Sequence, residues 1–204
     1  MIKIIDYGLG NIRSFLNVYK RFNIQIEVAR NKNDLINASR LILPGVGSFD
    51  HAMTLLNNSG MRDKLDQLVL SDYVPVLGIC VGMQILANNS EEGVLGGLGW
   101  IKGTIAKFTP EAEGKKLLLP HMGWNDVNPL KKSILFQDIK SNPIFYFLHS
   151  YHFICEDESN ALSETIYNGA FTSSVNSGKI YGVQFHPEKS HTYGMKLLTN
   201  FTKV

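Results

Sequence analysis

Short apolar runs alternate with helix-period segments through the first half of the chain, and this pattern constrains the fold more than any other feature. Residues 2–5 read as a strand, followed by a helix over 11–21 with Phe15, Val18, Tyr19 and Phe22 at helical spacing. Residues 24–28 are strand-like and 33–38 form a short helix. Leu41, Ile42 and Leu43 make a buried strand stopped by Pro44 and Gly45. A helical stretch over 50–70 breaks near Ser59 and Gly60; 74–79 is a further buried strand and 81–88 the helix after it. Strands that alternate with helices imply βαβ units and a parallel sheet covered on both faces. The second half changes character. Residues 101–108, 145–149, 152–155, 165–167, 171–175 and 180–185 are strand-like and joined by turn residues, so several should pair antiparallel. A helix over 191–201 closes the chain. The expectation is an α/β protein: a mixed, mostly parallel sheet flanked by helices, with an antiparallel extension, in one domain over residues 1–204.

Composition excludes several classes. At 44% hydrophobic and 19% charged the chain is ordinary globular material. A domain of this size buries roughly 70% of its unfolded surface, enough for a full core without staples. The 20 basic and 18 acidic residues are spread along the chain, which argues against a dedicated nucleic-acid binder. Apolar stretches such as 73–86 contain Pro, Gly and Cys and are too short to span a bilayer. The opening Met1-Ile2-Lys3-Ile4-Ile5-Asp6 meets an acid too early for a signal peptide. Two cysteines make no disulfide framework. A cytoplasmic protein without membrane contact is expected.

The sharpest local feature is Gly78-Ile79-Cys80-Val81-Gly82-Met83-Gln84. An apolar strand delivers the chain to Cys80 and a helix starts straight after it. Glycines two residues before and after remove side chains that would crowd a tight strand-to-helix turn. This is a nucleophile elbow with Cys in place of Ser. It sets the sulfur at a helix N-terminus, where the dipole favours thiolate, and leaves the Val81 amide for a developing oxyanion. A free cysteine is more often a small buried hydrophobe, and Cys155, in His152-Phe153-Ile154-Cys155, reads as strand packing.

A thiolate needs a proton acceptor that later protonates the leaving group. His186 stands in Gln184-Phe185-His186-Pro187-Glu188-Lys189-Ser190, at the end of a strand that Pro187 terminates. Glu188 is near enough to accept a hydrogen bond from the imidazole and fix its tautomer. Taken alone, the segment is equally a surface turn. The chain has no C-x-x-C or H-E-x-x-H spacing, so neither a zinc site nor another metal is expected. His149 and His152, three apart on one strand, would face opposite sides.

Together, the Cys80 elbow and His186-Pro187-Glu188 resemble the class I (triad) glutamine amidotransferases. Pro44-Gly45-Val46-Gly47-Ser48-Phe49, Leu119-Pro120-His121-Met122-Gly123-Trp124-Asn125, His149-Ser150-Tyr151 and the opening Asp6-Tyr7-Gly8-Leu9-Gly10-Asn11 are similar to the subfamily of glutaminase subunits of imidazole glycerol phosphate synthase. The resemblance covers essentially the whole chain. It implies a flavodoxin-like sheet, no cofactor, and hydrolysis of L-glutamine by Cys80, His186 and Glu188. It implies an oxyanion strand at Gly45, Val46 and Gly47 whose peptide turns over in the active state. Gln84, Glu92, Ser150 and Tyr151 match glutamine-binding positions. Asn11, Met122, Trp124, Asn125 and Lys189 match the surface that docks, as a heterodimer, on a (β/α)₈-barrel cyclase subunit receiving the ammonia for histidine biosynthesis.

Other readings compete. A similar pair of proteins delivers ammonia to a surface-polysaccharide sugar, and the triad does not separate the two roles. A cysteine peptidase or chaperone-like hydrolase would share the elbow. Gln84 and the His186-x-Glu188 order favour the glutaminase. A catalytically silent binding module would not need Cys80, His186 and Glu188 together.

Overall fold

A computed structural model describes residues 1–110, 117–140 and 142–204. The strands are β1 (Ile2–Ile5), β2 (Ile26–Ala29), β3 (Arg40–Gly45), β4 (Val76–Cys80), β5 (Asn89–Ser90), β6 (Gly103–Lys107), β7 (His121–Asp126), β8 (Asn128–Pro129), β9 (Ile144–His149), β10 (Tyr151–Cys155), β11 (Ala161–Ile166), β12 (Ala170–Ser177) and β13 (Ile180–Val183). The helices are α1 (Ile12–Arg21), α2 (Phe49–Asn58), α3 (Arg62–Asp66), α4 (Val81–Gln84) and α5 (His191–Phe201). The main sheet runs β2-β1-β3-β4-β13-β12-β10-β6-β5, with β11 and β8 attached beside β12. From β2 to β13 every pairing is parallel; from β13 through β12 and β10 to β6 every pairing is antiparallel. Strands β7 and β9 form a separate antiparallel pair. The α/β architecture with an antiparallel extension is therefore as the sequence implies.

The central parallel strands are dominated by buried apolar residues, while the edge strand β2 leaves Glu27 exposed. All of β4 is buried, as is β3 beyond Arg40. The expected end of β3 at Leu43 is wrong, since Pro44 pairs with Ile79 and Gly45 with Cys80. Leu41 N–H bonds to Pro75 O on the β4 side, so alternation turns Pro44 toward β1. The β1 pairing stops at Ile42, and the missing proline donor costs no ladder bond there.

Two further readings need correction. Helix α4 stops at Gln84 and does not reach 88. The carbonyls of Ile85, Leu86 and Ala87 accept from Leu98, Ile101 and Gly99, so a crossing loop takes the acceptors that a continuing helix would need. Residues 121–126, to which the sequence pattern assigns no strand, form β7, because full pairing with β9 overrides the turn preferences of Gly123 and Asn125.

Candidate active site

Cys80 closes β4 with φ 55° and ψ −115°, outside the regions a side-chain-bearing residue ordinarily occupies. Such a conformation costs about 1–3 kcal/mol and persists only where its surroundings enforce it. Here they do. A Cβ on Gly78 would meet Gly82 O at 2.5 Å, and one on Gly82 would drive into Leu43 O. The two glycines let strand and helix close tightly enough to turn the chain within one residue. Val81, first in α4, has an amide with no intrahelical acceptor. Cys80 is 4% exposed. Its sulfur lies 4.0 Å from Leu148 O and 3.9 Å from Gln184 Nε2.

His186 follows the end of β13 and is buried. Pro187 opens a 3₁₀ turn that folds Glu188 back beneath the ring. His186 Nδ1 donates to Glu188 Oε1 at 2.8 Å, which leaves Nε2 for the sulfur. Burial alone would push the imidazole's pKa down. Hydrogen bonds to Cys80 and Glu188, together with their negative charge, lift it to about 10 instead. Cys155, in contrast, sits on β10, where burial pushes its thiol up to about 11.

A cleft of about 310 Å³ opens over this group, room for one small ligand. One wall carries Val46 and Gly47, the floor Cys80, Val81 and Gln84, and the far wall Ser150 and Tyr151; Glu92, His186 and Lys189 complete it. The expected nucleophile, base, glutamine-binding residues and oxyanion positions thus converge, with two qualifications. Gly45 lies behind the cleft in β3, beside Cys80. Glu188 supports His186 from beneath. A larger depression of about 730 Å³ along 129–137 is lined by Lys131, Lys132 and Ser133 among apolar residues and holds no cysteine, histidine or carboxylate.

Two of these residues also have structural duties. Gln84 donates to Tyr151 O at 3.2 Å and to Gln184 Oε1 at 3.1 Å. Glu92 Oε2 accepts from Phe49 N–H at 2.8 Å and so caps α2, whose Ser48 makes no side-chain cap bond. The oxyanion strand is braced from behind. Buried Tyr7 donates to Pro44 O at 2.8 Å, and a Cβ on Gly10, whose φ is +95°, would meet the Pro44 ring at 2.8 Å. Gly47 has φ +101° with open space around it.

The expected docking residues divide by strand pleat. Met122 and Trp124 point outward from β7, 66% and 49% exposed, beside Ile144 and Leu148 of β9. Trp124 stacks on His191 with centroids 5.1 Å apart. Asn125 turns to the opposite face and donates to Ile166 O at 3.0 Å. Asn11 is exposed and caps α1 through Ser14 N. Lys189 lies over the Tyr146 ring at 5.6 Å. The single-strand reading of 149–152 is wrong. The chain corners at Ser150 between β9 and β10, and both His149 and His152 pack on Phe108, at 5.4 and 4.7 Å. Reasoning from motifs also missed Gln184 as a neighbour of the sulfur. A lone amide between Val183 and Phe185 in a strand-like apolar run was the available signal. Among the described residues, no group of three or more His, Cys, Asp or Glu is placed to hold a metal ion, and no helix is long and apolar enough to cross a membrane.

A cysteine on a strained elbow, an imidazole oriented by a carboxylate and a cleft sized for one small ligand define a triad amide hydrolase. The family described as glutamine amidotransferase class-I matches residues 3–204, and the chain belongs to it. Over its full length the chain is 54% identical to the imidazole glycerol phosphate synthase subunit HisH of Bdellovibrio bacteriovorus and 47% identical to that of Leptospira borgpetersenii, covering 100% of both relatives. A solved glutamine amidotransferase structure shares the fold, with TM-score 0.74 at 20% identity, over 99% of this chain and 97% of that one.

Proposed function

We propose that this chain is the glutaminase subunit of an imidazole glycerol phosphate synthase, with Cys80, His186 and Glu188 as its catalytic triad. Cys80 sulfur attacks the side-chain amide carbon of L-glutamine. The carbonyl oxygen becomes an oxyanion, held by the Val81 amide and by the peptide at Val46 and Gly47. His186 gives its Nε2 proton to the leaving nitrogen, ammonia departs, and a γ-glutamyl thioester remains. Neutral His186 then takes a proton from water as the water attacks the thioester, and glutamate leaves with the thiol restored. Glu188 holds the imidazole tautomer throughout. Glu92 is placed to face the substrate's α-amino group, with Ser150 and Tyr151 as the wall opposite.

Ammonia released into neutral water is mostly protonated and no longer nucleophilic, so it must pass directly to an acceptor site. The acceptor site belongs to a (β/α)₈-barrel cyclase subunit docked on the outward face of β7 and β9, where Met122 and Trp124 stand exposed. Large exposed apolar groups on a paired strand suit such a role. Docking with acceptor bound reorients the peptide near Gly47. An oxyanion donor is worth roughly 10²–10³ in rate, so stimulation of that order is expected over the lone subunit.

The observation that carries this reading is the convergence of strained Cys80 with the His186–Glu188 pair in one cleft. In the assembled synthase, Cys80→Ser should abolish glutamine-driven synthesis and leave ammonia-driven synthesis intact, because the second site needs only the nucleophile. Loss of both in a folded complex contradicts a separate glutaminase step.

A further inference from the structure

His121 and His149 stand directly opposite each other in the β7–β9 pair, and both are buried. His121 Nδ1 lies 3.1 Å from His149 Nε2. Two neutral imidazoles can share a hydrogen bond only if one supplies N–H and the other a bare nitrogen, and their remaining nitrogens decide which. His149 Nδ1 lies 2.8 Å from Tyr151 O, which can only accept. His149 therefore carries its proton on Nδ1, its Nε2 is bare, and His121 Nδ1 donates to it. That leaves His121 Nε2 bare, 3.2 Å from the Asn125 side-chain nitrogen, a donor. The direction of donation is fixed from end to end: Asn125 to His121, His121 to His149, His149 to the Tyr151 carbonyl.

The surroundings keep both rings neutral and in place. Burial lowers the pKa of His121 to about 4 and of His149 to about 3. Protonation of His149 is opposed further by the neighbouring imidazoles of His121, His152 and His186. His121 is stacked between Tyr167 at 4.0 Å and Phe147 at 4.7 Å, so its plane cannot turn. Beyond the relay, Tyr151 O also accepts from Gln84, and Gln84 reaches Gln184 beside the Cys80 sulfur. Two buried imidazoles occupy space that apolar rings would fill at less desolvation cost. Their yield is a carbonyl held by two donors at a corner of the chain, where the cleft wall carries Ser150 and Tyr151.

We propose that His121 and His149 are positioning residues for glutamine, a tautomer-locked imidazole pair that fixes the Tyr151 carbonyl and with it the Ser150 and Tyr151 wall of the cleft. The proposal rests on reading that cleft as the glutamine site. In the assembled enzyme, His121→Phe keeps the ring's size and stacking but removes its N–H. The KM for glutamine should rise about tenfold, the size of one lost buried hydrogen bond, with kcat within about threefold. His121→Asn, whose amide nitrogen occupies the place of Nδ1, should bring KM back to within about threefold of the parent enzyme. An unchanged KM in folded His121→Phe, or failure of the Asn variant to recover it, overturns the proposal. A second measurement does not depend on activity or on any variant folding. Two-dimensional ¹⁵N imidazole spectra of the unmodified chain should show His121 and His149 as neutral Nδ1–H tautomers throughout pH 6 to 8. An Nε2–H tautomer at His149 overturns the relay even if the chain is a glutaminase. The expected tautomers without glutaminase activity would sink the functional reading and leave the relay standing.

Discussion

Strands β3, β4 and β13 meet the antiparallel pair β7–β9 at one cleft, yet the two regions hold their functional groups by different means. On the parallel side the backbone does it. Cys80 is fixed by φ 55° between two glycines whose missing side chains let α4 close on β3. On the antiparallel side, side chains do it: the His121–His149 pair inward, and Met122 and Trp124 outward. The difference separates two kinds of fragility. The parallel region should respond to added size and be indifferent to polarity at the glycines. The antiparallel region should tolerate a ring of the same size and respond to lost hydrogen-bonding capacity.

The largest effect should come from size. Gly82→Ala places a methyl group against Leu43 O, a backbone atom that cannot swing aside. A loss of about 3 kcal/mol or more is expected, read as a drop in the denaturant midpoint. A near-neutral result would show that the elbow has slack and that the close approach is not what forces Cys80 into its turn.

Polarity is probed next, at the junction of the two regions. His186 has its pKa raised to about 10 from 6.5. A raised pKa means that the stabilisation is complete below about pH 6.5 and is lost as pH climbs toward about 10. Glu188→Gln removes the charge that Nδ1–H faces and preserves the shape. The His186 midpoint, followed by NMR, should fall by at least about one unit, and turnover should drop roughly tenfold, one unit being worth about 1.4 kcal/mol. Thioester formation should remain measurable. An unchanged midpoint would mean that Glu188 is not the partner that sustains the imidazolium.

The amount legible in sequence also follows the division between the regions. Parallel strands reveal themselves because burial on both faces leaves unbroken apolar runs, and the elbow is a local motif whose geometry is carried by Gly78 and Gly82. Helix α5 was legible for the same reason: its apolar period is local. Strand β7 was not. Its residues His121-Met122-Gly123-Trp124-Asn125-Asp126 have poor strand propensity, and only the register with β9, whose residues are distant along the chain, makes them a strand. The histidine relay depends on that register and was invisible with it. The end of α4 was hidden similarly, because the loop that takes its carbonyls lies downstream.

The smallest effect should separate two duties of one residue. Glu92 caps α2 through Phe49 N–H and also lines the cleft. Glu92→Gln retains an oxygen for the cap but loses the charge that the proposed function sets against the substrate's amine. Stability should change by less than about 0.5 kcal/mol, while KM for glutamine rises several-fold, as befits one partly exposed charge pair. A change in stability without a change in KM would leave Glu92 as a helix cap alone.

The central claim is that the strained cysteine of the parallel region, and not the strand cysteine of the antiparallel extension, forms the covalent intermediate. Labelling the assembled enzyme with an electrophilic glutamine analogue, followed by peptide mass spectrometry, tests it directly. The expected result is a single adduct on the peptide carrying Cys80, with Cys155 unmodified and glutamine-driven turnover lost in proportion to labelling. Full inactivation with the adduct on Cys155, or full activity retained with Cys80 labelled, would contradict the account.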